Sequence, residues 1–261
     1  MPEKMKIGLC GSLGQMCSSV LKLVLKNDNY QIKALYEPLK KVQKEDYIEH
    51  GGQIIYHSND INVLTDADII LDFSHDNVTS VLVDFAVSNK KKLIIGTTRL
   101  SDATLAKINE ASKKIAIFCS PNMSFGINFL LSVINIFARN LKDYDIEIIE
   151  KHHRRKKDAP SGTALKFFET LKKENPDLYT VYDRTKNDSA RKKDEVGISS
   201  IRGGGEVGTH TVLFASDFDE IELTHRMNSR EALAQGALVV IDFISSKDKG
   251  FFEYSDIINI K

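Results

Sequence analysis

The 261-residue chain sets 36 lysines and arginines against 36 aspartates and glutamates, so no global field draws it to nucleic acid or to an anionic membrane surface. No segment approaches the roughly 18 uninterrupted apolar residues of a membrane span, and the first residues lack the apolar run of a signal peptide. Its three cysteines, Cys10, Cys17 and Cys119, have no metal-ligand spacing and argue against a disulfide framework, so a soluble protein of a reducing, cytoplasmic compartment is expected.

Residues 5–10 are apolar and end at Gly11-Ser12-Leu13-Gly14, after which Met16, Val20, Leu21, Val24 and Leu25 fall at helical spacing. The spacing predicts a strand, a glycine turn and a helix. A second strand over residues 30–36 ends at Glu37, and residues 38–56 carry no clear pattern. Alternation then resumes: strand 69–73, helix 77–88, strand 93–95, helix 101–112, strand 115–119. Strands separated by helices require crossovers, which predicts a doubly wound, mostly parallel α/β sheet covered on both faces.

The pattern changes after Pro121. Residues 125–140 read as an apolar helix, 144–150 as a strand, 162–173 as a helix and 196–225 as sheet with a hairpin turn at Asp217-Phe218-Asp219. The polar stretch 174–194 reads as an exposed excursion, and 229–245 returns to helical periodicity. The expected organisation is a Rossmann-like domain over 1–124, completed by 230–261, and an α+β domain on a mixed or antiparallel sheet over 125–229.

In the first half the glycines fall as G-x-x-G at a helix start, where a backbone can approach a pyrophosphate and the positive helix end favours an anion. Gly11, Ser12, Leu13, Gly14, Gln15 and Met16 are the candidates, with Glu37 placed to accept hydrogen bonds from an adenosine ribose. Gly96-Thr97-Thr98 and Pro121-Asn122-Met123-Ser124 follow two further strand ends, where ligands of open sheets sit. A dinucleotide cofactor, NADH or NADPH, is the expectation.

Residues 150–164 run E-K-H-H-R-R-K-K-D-A-P-S-G-T-A. If Ser161 caps a helix, the amides after it, with Gly162 and Thr163, make a carboxylate nest. A plain capped helix has the same spelling. Lys156 is a point charge able to meet a carboxylate or donate a proton. His152 and His153 point to opposite sides if a strand runs through them, and a histidine is the obvious acid/base. Arg154, Arg155 and Lys157 read as solvated or interface charges. The other histidines are dispersed and no metal site is expected. Hydride from a nicotinamide, an anion cradle and a proton from Lys156 or His152 describe reduction of a polarised C=C or C=N bond of a small dicarboxylate.

On these residues the chain resembles the 4-hydroxy-tetrahydrodipicolinate (dihydrodipicolinate) reductase family. The match to E-x-H-H-x-x-K-x-D-x-P-S-G-T-A is complete from 150 to 164, and G-x-x-G-x-M at 11–16, G-T-T at 96–98, P-N-M-S at 121–124, I-R-x-G-x-x-x-G-x-H at 201–210 and T-H-x-x-x-S-R at 224–230 support it. The resemblance implies reduction of 4-hydroxy-2,3,4,5-tetrahydrodipicolinate, with loss of water, in lysine and diaminopimelate biosynthesis. It implies His152 as proton donor and acceptor, Lys156 as proton donor, and His153 with Gly162 and Thr163 as ligands of the substrate carboxylates, to which the reading of the turn adds Ser161. It also implies a homotetramer assembled through the second sheet, and domains hinged near Ser124 and Arg230. Three departures bear on the cofactor. Gln15 stands where an arginine is common, Cys17 replaces the third glycine, and Pro38 follows Glu37 where an arginine often meets a 2′-phosphate. NADH use at least equal to that of NADPH is therefore expected, unless Lys40 or Lys41 compensates. Another two-domain reductase of amino-acid-derived carboxylates, or an inactive binding protein, would be expected to lack the histidine–lysine–nest combination.

Overall fold

The computed structural model describes residues 4–186 and 189–260. In chain order its elements are β1 (Met5–Cys10), α1 (Gln15–Val24), β2 (Tyr30–Tyr36), β3 (Tyr47–His50), β4 (Gln53–Ser58), β5 (Ile69–Asp72), α2 (Asp76–Ser88), β6 (Lys92–Ile95), α3 (Asp102–Ser112) and β7 (Ala116–Cys119). They continue with α4 (Phe125–Asn140), β8 (Asp145–His152), α5 (Gly162–Glu174), β9 (Tyr179–Val181), β10 (Glu195–Arg202), β11 (Gly208–Ala215), β12 (Glu220–Met227), α6 (Glu231–Ser245) and β13 (Gly250–Phe252). Two compact units result, Met1–Phe125 with Glu231–Ile257, and Gly126–Arg230 with Ile258–Lys261.

The first unit is a doubly wound eight-stranded sheet in the order β13-β7-β6-β5-β1-β2-β4-β3, parallel except for the β3–β4 hairpin. β5 and β6 are short apolar runs with no polar alternation, Ile69-Ile70-Leu71 and Leu93-Ile94-Ile95, all within 1% of full burial, as a sheet sandwiched between helices demands. The chain moves outward from β1 through β2 to β4, then returns to the other side of β1 at β5. That reversal opens a crevice at the carboxyl ends of β1 and β5. Gly11 sits there with φ +80°, and a Cβ on it would stand 2.6 Å from the Phe73 carbonyl oxygen, so only glycine fits both the conformation and the space.

α6 packs on α1 and on the β6–β7 side of the sheet. A Cβ on Gly236 would fall 1.7 Å from the Met123 carbonyl oxygen, and the Tyr254 hydroxyl donates to that same oxygen at 2.7 Å. The late segment thus holds the loop after β7. Two parts of this unit were not expected from the sequence: the β3–β4 hairpin inside the patternless stretch, and β13, a three-residue parallel edge strand beside β7.

The second unit carries a five-stranded sheet, β12-β11-β8-β10-β9. β8 is antiparallel to β11 and parallel to β10, and β11 and β12 form the expected hairpin. One face is apolar: Ile146, Ile148, Val196, Ile198, Val212 and Phe214 pack against Ile127 and Ile134 of α4 and Phe167 and Leu171 of α5. The polar stretch 174–194 is less of a free excursion than its composition suggests. It contributes edge strand β9, and its arginines are pinned to the sheet, Arg184 to Glu147 and Glu195 and Arg191 to Asp145.

Candidate active site

In the first unit the glycine turn leaves β1 with the Gly11 and Ser12 amides both donating to the Tyr36 carbonyl, and α1 begins at Gln15 after Gly14, with no side chain capping its start. That uncapped start, with Gly14 packed on Gly11, fits a pyrophosphate, whose oxygens would take the role of the missing cap. Glu37 lies directly after β2 and is almost fully buried. Its carboxylate accepts from the Leu13 amide at 2.9 Å and from the Leu39 and Lys40 amides at 3.2 Å. The acid therefore ties the glycine turn to its own loop. Lys40 adds a bond from its ammonium to the Leu13 carbonyl at 3.1 Å, and His57 at the end of β4 shares a hydrogen bond of 2.8 Å with the Ser12 hydroxyl.

Met16, Gly96, Thr97, Thr98, Pro121, Asn122 and Met123 converge on a cavity of about 390 Å³, completed by Phe73, Ser74 and Leu233. Glu37 and Ser12 lie outside it, toward His57. Gly96 is required there because a Cβ would meet the Phe73 ring at 2.2 Å. The Asn122 side chain accepts from the Ser124 amide at 2.9 Å, which closes the loop on itself. These residues would hold the nicotinamide half of a dinucleotide.

In the second unit, strand periodicity builds the site. Ile146 and Ile148 face the helices, and the next two inward positions of β8 are Glu150 and His152, fully and nearly fully buried. His152 Nδ1–H donates to Glu150 Oε2 at 2.5 Å. Arg202, beside His152 in register, grips Glu150 with both arms, Nη1 to Oε2 at 2.9 Å and Nη2 to Oε1 at 2.6 Å. Burial alone would raise the Glu150 carboxyl, but the Arg202 fork, then Ser200 and His152, outweigh it and bring it to about 2. For His152 the balance is reversed. Burial, with the Lys156 and Arg202 charges, lowers it below the ordinary histidine value against the pull of Glu150, which favours the neutral ring, and Nε2 is the nitrogen that Glu150 does not hold.

Ser161 caps α5, its hydroxyl accepting from the Ala164 amide at 3.2 Å, while its own amide donates to Glu150 Oε1 at 3.3 Å. Gly162 and Thr163 form the first turn, and a Cβ on Gly162 would meet nothing within 4 Å, so that position is open to a ligand. His210, opposite Glu150 on β11, shares a hydrogen bond of 3.0 Å with the Ser161 hydroxyl and stands 5.0 Å from the His152 ring. Burial, with His152, lowers it to about 4. Gly208 leaves room for His152, since a Cβ would come within 3.0 Å of Nε2. His153 alternates away from this row. Its amide donates to the Glu206 carbonyl, and its buried Nδ1 has no hydrogen-bond partner among the described residues. Lys156 is held by both oxygens of Asp158 at 2.8 Å, and Arg154, Arg155 and Lys157 are exposed. No group of three metal-ligating side chains occurs among the described residues, and no helix among them could cross a membrane.

Sequence reasoning gave no role to Glu150, Arg202, Gly208 or His210. The I-R-x-G-x-x-x-G-x-H stretch holds three of the four, and only strand register shows that they meet.

Residues 5–123 match the family described as dihydrodipicolinate reductase, N-terminus, and residues 126–258 match its C-terminus. The chain belongs to the dihydrodipicolinate reductase family. A 4-hydroxy-tetrahydrodipicolinate reductase of Methanocaldococcus jannaschii is 35% identical over 98% of this chain and 97% of its own. One from Polynucleobacter necessarius is 36% identical over 98% and 100%. A solved structure, dipicolinate-bound dihydrodipicolinate reductase from Paenisporosarcina sp. TG-14, has a TM-score of 0.79 at 20% identity, covering 98% of this chain and all of its own, and shares the fold. Aspartate semialdehyde dehydrogenase II of Vibrio cholerae is more distant, with a TM-score of 0.59 at 11% identity over 94% and 99%. The expected fold class and enzyme class hold: this is an NAD(P)H-dependent reductase, and the alternative reductases are not favoured.

Proposed function

We propose that the chain reduces 4-hydroxy-2,3,4,5-tetrahydrodipicolinate to 2,3,4,5-tetrahydrodipicolinate with loss of water, in lysine and diaminopimelate biosynthesis. The observation that carries this is His152, buried at the end of β8 with Nδ1 on Glu150 and Nε2 beside the gap left by Gly208, next to the capped start of α5. A bound nicotinamide cofactor supplies hydride to C4. Gly162, Thr163 and Ser161 receive a substrate carboxylate at the helix start, His153 Nδ1 adds a polar contact, Lys156 donates a proton, and His152 Nε2 accepts or returns one. Residues 1–124 with 230–261 serve the cofactor, and residues 125–229 serve substrate and assembly. The test follows nicotinamide absorbance after mixing the protein with the condensation product of pyruvate and aspartate semialdehyde. Folded protein that oxidises neither NADH nor NADPH above background defeats the assignment.

NADH serves at least as well as NADPH. Glu37 repels a 2′-phosphate, Pro38 offers it no partner, and the Lys40 ammonium is already bound to the Leu13 carbonyl. A kcat/KM ratio favouring NADPH by roughly tenfold, about 1.4 kcal/mol, would overturn this preference.

The assembly is a cytoplasmic homotetramer formed through the second sheet. Helices cover one face of that sheet, while the other presents Ser199, Ile201, Glu222, Thr224 and Arg226 to solvent, with Ile201 48% exposed. Sedimentation should give a tetramer that Ile201→Lys weakens, and a monomeric parent protein would refute it.

A further inference from the structure

We propose that Glu150 is the positioning residue of the second unit: anchored by the Arg202 fork, its carboxylate fixes His152 as the Nδ1–H tautomer and joins it to the Ser161 turn. Four contacts on this one carboxylate tie the site together. Oε2 takes His152 Nδ1 at 2.5 Å and Arg202 Nη1 at 2.9 Å, and Oε1 takes Arg202 Nη2 at 2.6 Å and the Ser161 amide at 3.3 Å. Arg202 Nη2 also donates to the Asp158 carbonyl at 2.7 Å, on the same residue whose carboxylate holds Lys156. The histidine, the lysine loop and the helix start are therefore set by one buried ion pair. A displaced Glu150 would move all three together.

The chemistry follows from the direction of the His152 ring. With Nδ1–H committed to a carboxylate, only Nε2 is left to exchange a proton, and it lies on the side where Gly208 has no side chain. The charged and titratable groups facing the ring are Glu150 on β8, Arg202 on β10, His210 on β11 and Lys156 on the following loop. Of these only Glu150 favours the imidazolium. Loss of its charge should therefore lower the titration midpoint of His152 and release its tautomer. Arg202 has the opposite effect on the ring itself, but it holds the carboxylate in place, so its own removal acts mainly through Glu150.

The inference rests on the role given to His152 above, and its test separates the two. Imidazole ¹⁵N spectra of the histidine-labelled full chain, assigned with His152→Gln, need no substrate. Wild-type protein should show His152 protonated on Nδ1 above its titration midpoint. A wild-type Nε2–H tautomer overturns the proposal with no variant made. In Glu150→Gln the tautomers should mix and the midpoint fall. In turnover, kcat should drop roughly 10²-fold while KM for the nicotinamide cofactor stays within about twofold. Should the lone guanidinium unfold that variant, Glu150→Gln with Arg202→Gln removes both charges and should mix the tautomers likewise. A folded variant that keeps the wild-type tautomer and midpoint would leave Glu150 as a structural residue only.

Discussion

Asp72, at the carboxyl end of β5, has no exposure to solvent, yet its carboxylate accepts from the Thr97 hydroxyl at 3.0 Å, the Thr79 hydroxyl at 2.5 Å, and the hydroxyl and amide of Ser74. Burial pushes its carboxyl up, and the hydroxyls of Ser74, Thr79 and Thr97 oppose that. Two of those partners, Ser74 and Thr97, line the cavity shared by Met16, Gly96 and Asn122. Asp72→Ala strands several buried donors, each worth about 1–3 kcal/mol, so a loss on the order of 3 kcal/mol in urea unfolding and weaker cofactor binding by fluorescence titration are expected. An unchanged midpoint would show that the hydroxyls find other partners. Lys156 is the opposite case. Its pair with Asp158 is partly exposed and contributes little to stability. Lys156→Ala should therefore keep the unfolding midpoint while kcat falls roughly 10²-fold, and an intact kcat would remove Lys156 from the chemistry.

Among the elements, α6 has the tightest constraint. Alanine in place of Gly236 gains about 1 kcal/mol of helix propensity, but its Cβ would fall 1.7 Å from the Met123 carbonyl, a distance no side-chain rotation relieves. Overpacking of this kind costs typically 1–3 kcal/mol, so Gly236→Ala should lower Tm and raise KM for the cofactor through the displaced loop 121–124. A variant with wild-type values for both would mean that α6 shifts freely. The periodic elements were legible in the sequence nearly to the residue: β2 and α4 fall on the expected bounds, and α2, α3 and α5 differ by a residue at one end. The strands missed were β4, which begins in the patternless stretch and pairs with β2 over only two residues, and three short pieces. β3, β9 and β13 have three or four residues each, too few to show a period, and their pairing is decided by the neighbouring strand. The site was legible where it lies along the chain, as at His152, Lys156 and Ser161. It was illegible where it lies across the sheet, because the meeting of Glu150 with Arg202 and His210 depends on the register of three strands.

At the scale of the whole molecule the buried histidines set the response to acid. His210 titrates near 6.5 when unfolded and at about 4 when folded, so between these values the unfolded chain binds a proton that the folded chain does not. Stability from this group is complete above pH 6.5 and declines as pH falls toward 4, by up to about 1.4 kcal/mol per pH unit. His152 and His225, lowered in the same sense by burial, add to the decline. Glu150, brought from 4.5 to about 2, extends it below pH 4.5. Urea midpoints should fall from pH 7 to pH 4, and His210→Asn should flatten that slope; a flat wild-type profile would contradict the assignment of a neutral buried His210. The interrupted first unit has a further consequence, for synthesis. Residues 126–230 form an unbroken stretch, whereas the cofactor unit lacks α6 and β13 until residues 231–257 follow. At roughly 5–20 residues per second, the ribosome delivers all of the second unit but residues 258–261 while the first unit still waits for its last helix and edge strand. A nascent chain stopped at residue 230 should thus resist protease over its later part and yield over its earlier one, the reverse of the order in which the two were translated.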